Sequence, residues 1–186
     1  MSRIEAEAKP ILSPLIHARG RRVHRREQRT LATWGLLKAC GFNELHPRER
    51  VVLSEHRRHL YESHEPPAEG LWVSLATYEA RDVGHYAYQG LRLGKTSDPA
   101  PSEATVYFVT ITIGALVVQI VGSALPDWTF AAVPYPAELD VAEIWPASAR
   151  VEFSQRNVMV HDTLIGYTKV LYNVVGKLVG GAPPAR

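Results

Sequence analysis

A chain of 186 residues, 46% hydrophobic and 22% charged with a net charge of +2, suits one domain and needs neither metal nor disulfide to fold. A single cysteine, Cys40, excludes a disulfide framework and a multi-cysteine zinc site, and it fits a reducing cytoplasm. The longest apolar stretch, Ile111 to Val121, falls short of the about 20 residues a membrane span needs, and prolines and charges interrupt the start where a secretory signal would lie.

The charge is unevenly placed. Residues 1–65 carry 13 Lys/Arg against 8 Asp/Glu and six of the eight histidines, whereas residues 66–186 carry 8 against 11. A basic first third on an otherwise balanced chain points to an anionic partner, with a solvated helical face as the plainer alternative.

In chain order, Ser2 and Glu5 fit a capping box, so a short helix is expected at the first residues, limited by Pro10 and Pro14. Arg19, Arg21, Arg22, Arg25, Arg26 and Arg29 follow, six arginines within eleven residues, with Gly20 marking the early part as loop. A helix is expected over roughly Arg26–Cys40, its apolar face made by Leu31, Trp34, Leu36, Leu37 and Cys40, and Gly41 is its expected stop. Asn43 to Arg50 reads as a connection. Ser54 is the expected cap of a helix from Glu55 to about Ser63. Pro66-Pro67 and Gly70 close the helical part.

Strand signals then take over. Leu71–Leu75 is one candidate, and His85–Gln89 with Leu91–Leu93 is a second, bulged at Gly90. Thr105–Ile113 and Ala115–Val121 flank Gly114 as a hairpin, and their near-continuous apolarity predicts burial on both faces. Prolines 126, 134 and 136 mark an irregular connection. Val141–Trp145, stopped at Pro146, and Val151–Phe153 are short strands. Asp162 would cap a long C-terminal helix to about Val179, with Leu164, Tyr167, Leu171, Val174, Val175 and Leu178 on one side. The expected class is therefore α+β: a helical N-terminal third on a small, mainly antiparallel sheet, with a long C-terminal helix. Segments 1–65, 66–160 and 161–186 form one compact domain in this reading.

Catalytic signals are sparse. Glu55, His56, His59 and Glu62 share helical spacing, but Arg57 and Arg58 lie among them and no H-E-x-x-H pattern is present, so no metal is expected. Asp82 with His85 and His161 with Asp162 lack a serine elbow, and Gly122-Ser123 does not supply one. Cys40 lies near a helix C-terminus on an apolar side, the setting of an inert thiol. Glycines 90, 94, 180 and 181 match no phosphate loop, so no cofactor is expected. Trp72, Tyr78, Tyr86, Tyr88 and Tyr107 lie at strand spacing, as core or as stacking surfaces. The arginine run is the site with a physical rationale: guanidinium groups stay charged and fork onto phosphate. With no base-reading motif beside it, weakly sequence-specific binding is expected.

Several pieces in order carry a resemblance. They are Ser2-Arg3-Ile4-Glu5 with Lys9-Pro10-Ile11-Leu12, Glu27 through Trp34, His46 through Val52, Leu60-Tyr61-Glu62 with Pro66-Pro67, Thr112-Ile113-Gly114, and Ile144-Trp145-Pro146. Together they resemble the region after the zinc-bearing module of bacterial HNH-type endonucleases, across residues 1–146 and not beyond. The segment matching the module itself would precede Met1, so none of its metal ligands or its histidine base is expected here. The resemblance implies the partner region of a nuclease without the nuclease: a non-catalytic, cytoplasmic, nucleic-acid-associated domain whose basic strip holds DNA. A structural or interaction protein that self-associates through the C-terminal helix is the alternative from another class. An enzyme with a site around His85 or His161 is the third.

Overall fold

β-Branched and aromatic residues on both sides of Gly114 build the centre of the molecule. The computed structural model describes residues 3–17, 19–45, 50–79, 84, 86–91, 105–125, 141–148, 150–153 and 158–159. In them the order is α1 (Arg3–Ile16), β1 (Arg21–His24), α2 (Arg25–Leu45), α3 (Ser54–Ser63), β2 (Leu71–Tyr78), β3 (Tyr86–Leu91), β4 (Val106–Ile113), β5 (Leu116–Ser123), β6 (Ala142–Trp145), β7 (Arg150–Phe153) and β8 (Val158–Met159). The protein is α+β, with a mostly antiparallel sheet.

The main sheet has six strands in the order β3-β4-β5-β2-β6, with β8 added to β2 in parallel through Thr77↔Val158 and Tyr78↔Met159. β4 and β5 form the expected hairpin, in register from Val106↔Ser123 to Ile113↔Leu116. Both strands are buried on their two faces almost throughout, as their continuous apolarity requires. Gly114 takes φ +55 at the turn, and a Cβ there would come within 2.8 Å of Ile16. The close approach lets Ala115 N–H donate to Ile16 O at 2.9 Å, tying the end of α1 to the hairpin.

One face of the sheet meets the helices. Tyr107, Val109, Ile111, Leu116, Val118 and Ile120 share a single core with Leu12, Leu15, Leu31 and Leu36. Gly35 lets α2 settle close against β5, since a Cβ there would lie 3.3 Å from Ile120 Cδ1. On β6 the register against β2 slips between Val73↔Trp145 and Ser74↔Glu143, which leaves Ile144 as the extra residue. The slip explains why Ile144 and Trp145, adjacent in sequence, are both buried. The Trp145 indole donates to Pro67 O at 2.7 Å and fixes the buried proline pair after α3.

Several expectations are corrected. Pro10 and Pro14 do not limit α1, which runs through both. They lie one turn apart, away from the buried face of Ala8, Ile11, Leu12 and Leu15, so the carbonyls they free point away from the core. Ser2, half of the expected capping box, lies outside the described residues; Glu5 pairs with Lys38 of α2. α2 begins at Arg25 and passes Gly41, because Phe42 and Asn43 find tertiary partners: Phe42 stacks on Tyr86 with ring centroids 3.8 Å apart, and Asn43 Oδ1 accepts the Val51 N–H at 3.0 Å. The N-cap of α3 is Leu53, not Ser54, and no side chain caps it. Val51, Val52 and Leu53 form a buried plug that sets where that helix starts. β3 runs through Gly90 without a bulge, pairing Gly90 with Tyr107. The C-terminal helix expected over residues 162–179, and the connection around prolines 126, 134 and 136, lie outside the described residues.

Candidate functional site

The arginine run opens in a loop at Arg19 and Gly20, as expected, and then forms a strand. Arg21–His24 pairs antiparallel with Arg150–Phe153, in the register Arg21↔Phe153, Arg22↔Glu152, Val23↔Val151 and His24↔Arg150. Strand alternation sorts these pairs onto two faces. Val23 and Phe153 are buried on the inner face, while Arg22, His24, Arg150 and Glu152 are all exposed on the outer one. A Cβ on Gly20 would lie 3.3 Å from Phe153 O, so this glycine serves the close approach of the strands.

The ribbon continues directly into α2. His24 N–H donates to Glu27 Oε2 at 3.0 Å, the return half of a capping box. Gln28 is fully buried: its Nε2 donates to Val23 O at 2.9 Å, and its Oε1 accepts the Ser148 N–H at 3.0 Å. One amide side chain thus clamps β1 to the segment between β6 and β7.

The structure divides the six arginines. Arg21 pairs with Glu27, and Arg29 pairs with Glu65 at 3.0 Å, so both are neutralised internally. Arg19, Arg22, Arg25 and Arg26 are exposed, and among the described residues no carboxylate lies within 4.0 Å of any of them. Arg25 and Arg26 occupy the first turn of α2, where the helix dipole disfavours positive charge. Sequence reasoning missed Arg150 and Glu152, which the ribbon brings opposite His24 and Arg22. Their signal is the alternation Arg-Val-Glu-Phe, which mirrors Arg-Val-His with one apolar face.

A second polar constellation lies under α3. His56 is buried, and its Nδ1 stands 2.9 Å from Tyr107 Oη. Tyr107 is wholly buried, and this is its hydroxyl's one hydrogen bond among the described residues. The phenol therefore donates to Nδ1, and the imidazole carries its proton on Nε2. Burial, and after it the neighbouring His59, bring the His56 pKa down to about 4, so the ring is neutral near pH 7. Burial also pushes the Tyr107 phenol well above its usual range. Gly122 makes the arrangement possible, because a Cβ there would overlap the hydroxyl edge of the Tyr107 ring.

The outer edge of His56 lines a cleft of about 640 Å³ with Glu55, His59, Glu62, Gly70 and Ser123. Glu55, His59 and Glu62 are exposed and His56 turns inward, so the helical spacing does not converge. Among the described residues no three His, Cys, Asp or Glu side chains are placed to hold a metal. Ser123 Oγ accepts the Leu125 N–H at 3.0 Å. Cys40 is buried, and desolvation raises its pKa to about 12, which keeps it a thiol. Among the aromatic candidates, Tyr86 stacks on Phe42 and lies near Tyr88, with ring centroids 5.3 Å apart. Asp82, His85, His161 and Asp162 lie outside the described residues.

Fold and site together define an α+β protein with an exposed, arginine-rich two-stranded ribbon that runs into a helix. No family model, curated protein or solved structure matches the chain. Among the described residues no helix is long and apolar enough to cross a membrane.

Proposed function

We propose that this protein is a non-catalytic nucleic-acid-binding domain that holds the phosphate backbone of DNA at the junction of β1 and α2. The observation that carries the reading is the set of exposed guanidinium groups on Arg19, Arg22, Arg25 and Arg26 that have no carboxylate within 4.0 Å among the described residues. Arg25 and Arg26 add positive charge at the positive end of the α2 dipole, and an external anion stabilises both. Phosphate suits the arginine fork. The ordered pieces that resemble the region after the HNH module favour the same reading, with cleavage left to a separate nuclease module. A cytoplasmic setting goes with it, since Cys40 is the only cysteine and is a free thiol.

Each neutralised phosphate contributes about −0.9 to the slope of log affinity against log salt, so three to four arginines on phosphate give a slope of roughly −3 to −4 on duplex DNA. Fluorescence anisotropy with a labelled duplex at rising salt measures it. Changing Arg19, Arg22, Arg25 and Arg26 to Ala removes binding, while changing Arg21 and Arg29 to Ala leaves the slope nearly unchanged. Absence of wild-type binding at about 50 mM salt overturns the proposal.

A second reading, self-association, rests on the apolar spacing of Leu164, Tyr167, Leu171, Val174, Val175 and Leu178 over residues 162–179. Sedimentation of the full chain and of Leu171→Glu decides it: a dimer lost in the variant supports the reading, and a monomeric wild type ends it.

A further inference from the structure

We infer that the exposed face of the β1–β7 ribbon enters the major groove of duplex DNA and reads a G·C base pair there. The inference rests on the nucleic-acid reading above and adds to it a groove and a sequence preference.

Two paired strands lie about 4.8 Å apart, and a two-stranded ribbon fits the major groove, which is about 12 Å wide. Side chains two residues apart on one face are separated by about 6.8 Å, close to two base steps of about 3.4 Å each. Arg22 and His24 stand at that spacing, opposite Glu152 and Arg150.

In the major groove guanine offers two acceptors, O6 and N7, and its cytosine partner offers the N4 donor. Arg22 supplies a forked donor and Glu152 an acceptor, directly across the ribbon from one another. Neither is engaged: no ion pair joins them, and among the described residues neither has another charged partner within 4.0 Å. A surface made only to grip phosphate has no use for an exposed carboxylate, which phosphate repels. A base-reading surface does, because the carboxylate accepts from cytosine and rejects pairs that present an acceptor there.

The inner face is anchored by buried Val23 and Phe153, and Gln28 clamps β1 in place. The reading side chains therefore stand on a fixed backbone, which contact with base edges demands. Arg25 and Arg26, directly after His24, are placed to meet phosphates at the groove wall.

The test is selection of bound duplexes from a randomised pool by the full chain, followed by anisotropy on the enriched site. A short enriched motif with a G·C pair is expected. Replacing its guanine by 7-deazaguanine, which removes N7, should weaken binding about tenfold, and replacing it by inosine, which alters only the minor groove, should change little. Glu152→Gln is expected to bind random duplex more tightly while its preference for the site falls about tenfold. Arg26→Ala should weaken both duplexes equally and keep the preference. The altered side chains are exposed, and unchanged thermal unfolding checks that each variant is folded. A flat pool, or sensitivity to inosine rather than to 7-deazaguanine, overturns this inference and leaves phosphate binding standing. Failure to bind any duplex at low salt overturns both.

Discussion

His56 and Arg22 both belong to the histidine- and arginine-rich first third of the chain, and the fold treats them in opposite ways. His56 is carried inward on α3, stripped of water, and bonded to a phenol that is itself fully buried. Arg22 stands on the outer face of a ribbon, next to other cations and with no carboxylate within 4.0 Å among the described residues. At the first site polarity is satisfied within the protein, and its removal should be felt in stability. At the second it is unsatisfied, and its removal should be felt in binding. Residue type does not separate the two roles; burial and partners do.

The strongest way to break this contrast acts on the buried side. Gly122→Ala would drive a methyl group into the Tyr107 ring, which has core neighbours on its other sides. Overpacking of this kind costs about 3 kcal/mol. Urea unfolding should show that loss; a change below about 0.5 kcal/mol would mean the ring moves aside freely.

A pH titration probes the same group. His56 has a folded pKa of about 4 against an ordinary 6.5. Between these values the unfolded chain binds a proton that the folded one refuses. Its contribution is therefore fully present above about pH 6.5 and declines as pH falls towards 4, by roughly 3 kcal/mol in all. Between about pH 7 and pH 4 the wild type should lose roughly 3 kcal/mol more stability than His56→Gln, which has no group to titrate there. Parallel curves would remove His56 from this role.

Tyr107→Phe is the milder cut. It keeps the ring over Gly122 and deletes the hydroxyl that donates to His56 Nδ1. The imidazole nitrogen then stays buried without a partner, at a cost of about 1–3 kcal/mol. Folding should survive, and the His56 ring signal should shift in an NMR spectrum.

How far the two sites were legible follows from the range of the contacts that make them. β4, β5 and α2 declare themselves because their periodicity is local and their apolar residues many. β1 holds only Val23 as an apolar residue among four, and it becomes a strand by pairing with β7 near the other end of the described residues. No local signal contains that pairing. His56 sits in the polar run Ser54–Ser63, and its burial is decided by Tyr107, 51 residues away. The prolines of α1 misled for the opposite reason: a local rule was overruled because both lie off the helix's buried face. The arginines are visible from composition alone. Composition could not tell that Arg21 and Arg29 are neutralised, or that Glu152 joins the same face.

The smallest predicted effect is the most discriminating, because its sign is unusual. Arg25 and Arg26 lie at the positive end of α2, and each unfavourable charge there costs about 0.3–1 kcal/mol. Removing both as Arg25→Gln with Arg26→Gln should make the protein more stable, by roughly 0.6–2 kcal/mol at low salt. The gain should fade as salt screens the dipole. The same variant should bind DNA more weakly, with a salt slope reduced by about 2. Stability and affinity moving in opposite directions is what a charge retained for a partner produces. If the variant loses stability instead, these arginines support the fold, and the ribbon and the His56 site are of one kind.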